Sequence, residues 1–490
     1  MGGLYMRRKP GSRLAAALLL VVLAAACGAG DDGGGGDSPA AATTDPTATT
    51  VAAGSTVDTG DGGWTQFGHD LANSRLSPDQ SGLTADTVGD LAENWSLDGI
   101  VGVTSTPTVV DGVAYFGDWT GQVHAVDTAT GDEIWTTPLG GSVIGSVPVD
   151  GDALFASSGI TVYRLDRATG EVQWETPADD HPFAMISASP VVADGVVVQG
   201  VASGEVTFPQ DDYTFTGSVG GYDVETGEQI WRVDTTPGDE TAGAGVGVWS
   251  TAAVDVDRGL AFIGTGNTYE EPSAPLADSL LALDLHSGEI VWSRAFTSPD
   301  VFSAGAPGGP DADVGAAPML WTSDGRDLVG VGDKAGVFHT LDRESGDVVW
   351  ETTLTPGSSF GGVNGSSAFV DGTLVVSSNI GDPETNAPLN TAQVFGLDAA
   401  TGEIAWTTDL EGMVFAPIST APGLAFVGTT LGTFLVLDAA TGHELWTQDA
   451  PNQIGAGPAI VDGNVLWGYG YALFDGPGEG GLISFTVPQP

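Results

Sequence analysis

One nine-residue phrase, Asp-x-x-Thr/Ser-Gly-x-x-x-Trp, recurs seven times along this chain. Seven copies with constant internal spacing indicate a fold that repeats one small unit of secondary structure. An eighth tryptophan, Trp95 in "AENWSLDG", has the same following context without the preceding phrase. The copies are Asp127 to Trp135, Asp166 to Trp174, Asp223 to Trp231, Asp284 to Trp292, Asp342 to Trp350, Asp398 to Trp406 and Asp438 to Trp446.

The segments between these phrases predict short antiparallel strands. Alternating apolar runs such as "QVHAVD" precede the phrases, and Asp-Gly pairs join apolar runs in "PTVVDGVAYF" and "PVVADGVVVQG". An Asp-Gly pair between apolar runs is a strong hairpin signal. Each unit therefore reads as four strands, with the phrase as the turn from one blade's outer strand to the next blade's inner strand. Eight such units predict an all-β, eight-bladed β-propeller with tryptophans packed between the blades.

The charge balance excludes whole classes of partner. The 490 residues carry 64 acidic side chains against 13 Lys and Arg, a formal net charge of −51. Four of those cations precede Cys27 and no acid does, so the chain after Cys27 has nine cations against 64 acids, or −55. Nucleic acid is an unsuitable partner because phosphate binding needs a basic face. So large a self-repulsion is typical of a halophilic protein, with an ordinary acidic secreted protein as the alternative.

The N-terminus has the pattern of an export signal. Basic residues (Arg7, Arg8, Lys9, Arg13) precede an apolar run at 14–26 that is too short to span a bilayer. The single cysteine, Cys27, follows small residues and resembles the lipid-modified cysteine of bacterial lipoproteins. We therefore predict a lipoprotein-type signal peptide at 1–27 and a protein that is exported and lipid-anchored to the outer face of the cell membrane. Ordinary cleavage near Ala26 is the alternative.

A linker separates this signal from the repeats. Residues 28–62 are rich in Gly, Asp, Thr, Ser and Pro and contain no aromatic residue. Such a composition cannot bury enough apolar surface to form a core. The propeller is therefore predicted at 63–490.

The phrase resembles the tryptophan-docking repeat of the pyrroloquinoline quinone (PQQ) propeller family. The opening "WTQFGHDLANSRLSP" is similar to that family's first ordered segment, and the closing "IGAGPAIVDGNVLWGYGYALFDGPGEGGLISFTV" is similar to the ending of polyvinyl-alcohol-dehydrogenase-type members. The resemblance is specific for the fold rather than for the cofactor, because members that bind no quinone share the repeat.

Four consecutive units, between Trp174 and Trp406, are longer than the others, and extra loop on a rigid scaffold is where binding usually resides. Trp249 there is out of phase with the repeat, and Asn267 in "GTGN" follows 18 residues later. The resemblance implies that Trp249 lies under the planar quinone and that Asn267 binds the metal. An indole can stack on such a ring, and an amide oxygen suits Ca²⁺. The alternative is a packing tryptophan and a turn asparagine.

Two acidic residues complete the site that the resemblance implies. Glu205 in "GVASGEV" corresponds to the family's metal-binding glutamate. Asp313 in "DADVGAAPML" matches the catalytic base by its Asp-x-Gly-Ala-x-Pro context and would also bind the metal, with Asp311 as an alternative register. Lanthanide-using relatives have a second acid two residues after the base, where this chain has Gly315, so calcium is favoured. Glu205 could instead be one of many solvated carboxylates.

Lys334, in "GDKAGVFHTLD", is the only lysine after the signal and occupies the place of the family's quinone-binding cation. Other family features are missing. The chain has no adjacent cysteine pair and no Cys-x-x-Cys-His haem segment, so electrons would leave to a separate acceptor.

The resemblance implies PQQ- and Ca²⁺-dependent oxidation of an alcohol or polyol, with membrane contact through the lipid anchor only. Two alternatives stay open: a non-enzymatic scaffold similar to the propeller lipoprotein of the outer-membrane assembly machinery, and a propeller that senses a ligand.

Overall fold

The structure is a computed structural model that describes residues 63–78, 82–236, 242–307, 311–382, 385, 387–471 and 478–488. The predicted signal peptide, Cys27 and the linker at 28–62 lie outside these residues. Regular structure within the described ranges is β-strand, apart from two 3-10 turns at Val88–Asp90 and Glu205–Thr207. No helix in these ranges is long and apolar enough to cross a membrane.

The strands form eight antiparallel sheets, which confirms the predicted eight-bladed propeller. Blade 1 contains β2 Thr108–Val110, β3 Val113–Gly117, β4 Gln122–Asp127 and β5 Glu133–Pro138. Blade 2 contains β6 Val149–Asp150, β7 Ala153–Ser158, β8 Thr161–Asp166 and β9 Val172–Pro177. Blade 3 contains β10 Ala184–Met185, β11 Val191–Ala193, β12 Val196–Ser203, β13 Ser218–Asp223 and β14 Gln229–Asp234. Blade 4 contains β15 Ala253–Asp255, β16 Leu260–Gly264, β17 Ser279–Asp284 and β18 Ile290–Ala295.

The second half of the ring follows the same plan. Blade 5 contains β19 Met319–Ser323, β20 Arg326–Gly332, β21 Val337–Asp342 and β22 Val348–Thr353. Blade 6 contains β23 Ala368–Val370, β24 Thr373–Asp382, β25 Ala387–Asp398 and β26 Ile404–Glu411. Blade 7 contains β27 Ser419–Ala421, β28 Leu424–Gly428, β29 Thr433–Asp438 and β30 Glu444–Asp449. Blade 8 contains β31 Ala459–Val461, β32 Asn464–Tyr469 and β33 Glu479–Thr486, and its outermost strand is β1 Ala92–Val101.

The recurring phrase lies within a blade, which corrects our prediction that it joins two blades. Asp127 ends the third strand of blade 1, and Trp135 lies in the fourth, with the turn between them. Asp127 Oδ1 accepts hydrogen bonds from the main-chain N–H groups of Ala129 (2.9 Å) and Thr130 (3.0 Å), which fixes that turn. In blade 8 the third strand is C-terminal and the fourth is N-terminal, so no turn joins them. Trp95 therefore lacks the phrase.

The tryptophans pack between blades as predicted. Trp135 Nε1 donates to Arg167 O in blade 2 (3.2 Å), and its ring lies against Gly170, which has a φ of +72°. The same ring-on-glycine contact recurs around the propeller, for example between Trp95 and Gly131 and between Trp292 and Gly346. Each phrase thus forms a turn in its own blade and receives the tryptophan of the preceding blade.

The opening segment, residues 64–77, runs around the axis. Its main chain pairs with innermost strands through Trp64 with Val109, Thr65 with Val149, Leu71 with Val254, Ala72 with Leu320, Ser74 with Phe369, and Arg75 with Thr420. Gln66 Nε2 also reaches Val192 O (3.3 Å). This segment, which we call the inner segment, therefore bonds to the innermost strands of blades 1 to 7.

Candidate functional site

The five predicted site residues lie on one face of the propeller. In an antiparallel four-stranded blade, the loop between strands two and three and the connection to the next blade leave from the same end. Glu205, Asn267 and Lys334 follow the second strands of blades 3, 4 and 5. Trp249 and Asp313 precede the first strands of blades 4 and 5. The long units thus place all five residues on the same face.

Lys334 is held between two carboxylates. Its Nζ donates to Asp311 Oδ1 (3.1 Å) and, through a short contact, to Asp313 Oδ2. The three side chains are largely buried, with 13% of Lys334 and 5% of each aspartate exposed. Burial alone would lower the pKa of Lys334, but the charges and hydrogen bonds of Asp311 and Asp313 raise it. The two aspartates therefore favour the charged form of Lys334.

Asn267 lies directly beside Asp313. Its main-chain N–H donates to Asp313 Oδ1, and its Nδ2 donates to Thr268 O (2.7 Å) and Phe302 O (2.6 Å). These two bonds use both hydrogens of the side-chain amide, so Nδ2 faces the two carbonyl groups and Oδ1 is the other end of the side chain. Asn267 Oδ1 accepts no hydrogen bond from the described residues, so it is available as an oxygen ligand.

Trp249 borders the same cluster. Lys334 Nζ lies 5.4 Å from the centroid of its ring, a cation–π distance. The indole lies against Gly315, where an added Cβ would be 1.7 Å from Trp249 Cη2. It also passes Gly266, where an added Cβ would be 3.3 Å from Nε1. The two glycines therefore leave the space that the indole occupies, and Trp249 itself stays partly exposed.

Glu205 is close to this cluster but has different partners. It lies in the 3-10 turn after β12, is 2% exposed, and accepts hydrogen bonds from the main-chain N–H groups of Phe215 (2.9 Å) and Thr214 (3.3 Å). Burial, and then the charges of Asp313 and Glu205, raise the pKa of Tyr269, so this tyrosine is near both acids. No contact between Glu205 and Asn267 or Asp313 is found in the described part of the chain.

Two buried aspartates near the cluster were missed in the sequence. Asp278 and Asp300 are both 0% exposed. Burial, followed by the charge of Asp333, raises the pKa of Asp278 to about 7. Burial, followed by the charges of Asp313 and Asp278, raises the pKa of Asp300 to about 9. Nothing in the local sequence separates these two residues from the many solvated acids of this chain.

The donor set suits a hard cation only in part. Asn267 Oδ1 and the Asp313 carboxylate are adjacent oxygen donors of the kind that Ca²⁺ takes, with Glu205 further away. No group of three His, Cys, Asp or Glu side chains converges as a metal centre within the described ranges. A groove of about 860 Å³ near Gly63, Asp111 and Asp462 is lined by none of the predicted residues.

Two family models match the chain. The one described as "Glucose/ethanol/alcohol dehydrogenase, beta-propeller domain" matches residues 166–359, which include all five predicted site residues. The one described as "Outer membrane protein assembly factor BamB" matches 48–210 and 333–481, well over half of the chain. Together the two matches cover residues 48–481, which contain nearly all of the repeats.

Individual relatives are dehydrogenases of alcohols. A polyvinylalcohol dehydrogenase from a Pseudomonas species is 27% identical over 415 residues, covering 76% of this chain and 65% of that protein. The quinohemoprotein alcohol dehydrogenase of Comamonas testosteroni is 26% identical over 351 residues, covering 60% and 46%. The fold of this chain is similar to the crystal structure of the Comamonas testosteroni enzyme, with a TM-score of 0.74 and 22% identity. The superposition covers 88% of this chain and 82% of that one. The chain spans less than two thirds of the length of these curated relatives.

Proposed function

We propose that this chain, which belongs to the family of β-propellers built from PQQ-type repeats, is an extracytoplasmic PQQ-dependent dehydrogenase that oxidises an alcohol or polyol. The observation that carries the proposal is the convergence of Trp249, Asn267, Asp313 and Lys334 from two neighbouring blades. A packing role for each of these residues would not require them to meet. The proposal includes a separate electron acceptor as a partner.

The residues present fit the quinone and its metal as follows. Trp249 offers an indole face, Lys334 offers an ammonium group for the acidic quinone, and Asn267 Oδ1 with the Asp313 carboxylate offers hard oxygen ligands. Glu205 would join the metal ligands. When bound, the quinone supplies the hydride acceptor and the metal supplies Lewis-acid polarisation.

Asp313 is the residue that we expect to move a proton. Its carboxylate would accept the hydroxyl proton of the substrate as a general base. Asp313 accepts the main-chain N–H of Asn267, whereas no such bond to Asp311 is found among the described residues, so Asp313 is the better held of the two. Lys334 donates to both carboxylates and would hold Asp313 in its orientation.

Calcium is the metal that we propose rather than a lanthanide. The residue two places after Asp313 is Gly315, and the indole of Trp249 lies directly against it. A carboxylate side chain at this position would collide with the ring. The chain can therefore have either this placement of Trp249 or a second acid there, but not both.

The test is direct binding followed by turnover. PQQ with Ca²⁺ is added to purified protein in molar salt, and tryptophan emission and dye-linked oxidation of short alcohols and polyols are followed. Stacking of the quinone on Trp249 should quench tryptophan emission. The Trp249→Ala variant should therefore show less quenching and weaker binding of the quinone. Trp119→Ala, which removes another tryptophan on the same face, serves as the matched control. Asp313→Asn should bind the quinone but not turn over, because an amide cannot accept the proton.

The remaining variants separate the two ligands. Lys334→Ala should weaken quinone binding, and Glu205→Gln or Asn267→Ala should raise the Ca²⁺ concentration needed for it. Absence of saturable PQQ binding by the wild-type protein, in Ca²⁺ or a lanthanide, would refute the enzyme proposal.

A second candidate function is a protein-interaction scaffold. It is favoured by the match of residues 48–210 and 333–481 to the assembly-factor family model. The scaffold does not need the Trp249 to Lys334 cluster, which lies wholly inside 166–359, where the dehydrogenase model matches. If PQQ does not bind, capture of a defined assembly partner becomes the experiment to perform.

A further inference from the structure

A short segment at 300–302 connects the two halves of the candidate site. Its Asp300 carbonyl accepts the main-chain N–H of Thr268 (3.2 Å), and Phe302 N donates to Thr268 O (2.9 Å). Phe302 O accepts Asn267 Nδ2 (2.6 Å). The segment therefore holds Asn267 and its neighbour from one side, in a parallel bridge between Thr268 and Val301.

The Asp300 side chain reaches the other half of the site. Its Oδ1 accepts the main-chain N–H of Ala312 (3.4 Å), which is the residue between Asp311 and Asp313. Its main-chain N–H donates to Ser273 Oγ (3.2 Å), in the loop after Asn267. Asp300 thus contacts the Asn267 loop through its main chain and the Asp313 loop through its carboxyl.

No cation forms an ion pair with this carboxyl among the described residues. Asp300 is 0% exposed, and its Oδ2 is buried without a hydrogen-bond partner in the described ranges. The charged groups that act on it are the acids Asp313, Asp278 and Asp311, and together with burial they raise its pKa to about 9. An unpaired buried carboxylate is strongly unfavourable, which favours the neutral form of Asp300.

We propose that Asp300 is a positioning residue that sets the separation between Asn267 and Asp313, acting through the hydrogen bond that its carboxyl accepts from the Ala312 amide. The expected effect on Ca²⁺ binding rests on the proposed function, since Asn267 and Asp313 are the pair that would bind the metal. Asp300 itself touches neither reacting group. Its effect passes through the main chain of residues 268 and 312.

Three variants test the proposal. Asp300→Asn retains an oxygen acceptor and cannot ionise. Asp300→Ala removes the acceptor and leaves the buried Ala312 N–H unpaired. Asp255→Asn is the control, because Asp255 is a buried acid of blade 4 that pairs with Arg258 and Arg343 away from the site. It should lower stability without changing binding. Ser273→Ala, which frees the Asp300 N–H, is a milder substitute if Asp300→Ala does not fold.

Two measurements are made on each variant. Hydrogen–deuterium exchange of the cofactor-free protein follows peptides that contain residues 267–269 and 311–315. Equilibrium binding of PQQ in molar salt gives the Ca²⁺ concentration for half-saturation. We expect Asp300→Ala to speed exchange in both peptides and to raise that concentration about tenfold or more, as expected for one buried group left unpaired. Asp300→Asn should stay within about threefold of wild type, less than the tenfold that one lost hydrogen bond produces.

The outcomes separate this inference from the proposed function. Unchanged exchange and unchanged Ca²⁺ dependence in Asp300→Ala would overturn the positioning role while the enzyme proposal stands. An Asp300→Asn variant as impaired as Asp300→Ala would overturn it also, because a charge would then be required. If wild-type protein binds no PQQ, the proposed function fails, and the exchange data alone decide whether Asp300 couples the two loops.

Discussion

Replacing Gly170 by alanine should weaken one inter-blade contact by a predictable amount. Gly170 has a φ of +72°, and an added Cβ would lie 2.4 Å from Thr137 Oγ1 and 2.6 Å from Trp135 Cε3. The left-handed backbone costs ~1–2 kcal/mol for a residue with a Cβ. Displacing the indole adds ~1–3 kcal/mol of overpacking. The expected loss in the free energy of unfolding is therefore ~2–5 kcal/mol.

Gly151 provides a matched control in the same blade. Its φ is +59°, and an added Cβ would meet nothing within 4 Å. Gly151→Ala should therefore lose only the backbone part, ~1–2 kcal/mol. Urea unfolding in molar salt, followed by tryptophan emission and by circular dichroism, measures both variants. Equal losses in the two variants would contradict the reasoning, because the ring would then not be packed against Gly170.

Three further predictions concern charge and location. Thermal melting against salt should show a higher midpoint in molar KCl than in dilute buffer, since screening reduces the repulsion of a −51 chain; a flat or falling curve would contradict halophily. Cys27→Ser should move the protein from the membrane fraction to the soluble fraction, and a wild-type protein that is already soluble would exclude the lipid anchor. Burial opposes a charge on His339, but Asp333 and Glu351, at 2.9 and 2.7 Å, raise its pKa. The stabilisation that charged His339 contributes should thus be fully present below pH ~6.5 and be lost as pH rises through its raised pKa in the folded state. The difference in unfolding free energy between wild type and His339→Asn should therefore shrink from pH 6 to pH 9.

The blade count, the hairpins and the inter-blade tryptophans could be predicted from the sequence because each depends on local spacing. Asp111 and Gly112, for example, have φ values of +54° and +76°, as an Asp-Gly hairpin turn requires. The place of the phrase within a blade could not be predicted. A four-stranded repeat can be divided at any of its turns, and the order of strands within the sheets shows which strand is outermost.

The site was predictable to a similar degree. Asn267, Asp313, Lys334 and Trp249 meet because their loops leave from one face of neighbouring blades. Their roles toward a cofactor stay predictions. Glu205 was expected among the ligands. In the structure, main-chain N–H groups of its own connection between β12 and β13 bind its carboxylate, and its role toward a metal stays a prediction.

Asp300 and Asp278 were missed for a physical reason. Their burial arises from loops that pack across two blades, and no periodicity along the chain records that packing. In a sequence with 64 acids, residue type alone also carries little information about which carboxyl is buried.

The closure of blade 8 by two distant parts of the chain has a consequence for how fast this protein can fold. Ala92 pairs with Thr486, and the inner segment bonds to the innermost strands of seven blades. Contacts of such high sequence separation slow folding, because the entropy of closing a long loop must be lost before the contacts form. Until β33 is available, β1 and β32 present open sheet edges that can pair with another chain. Ring closure is therefore the step at which refolding competes with aggregation, and its yield should fall as protein concentration rises.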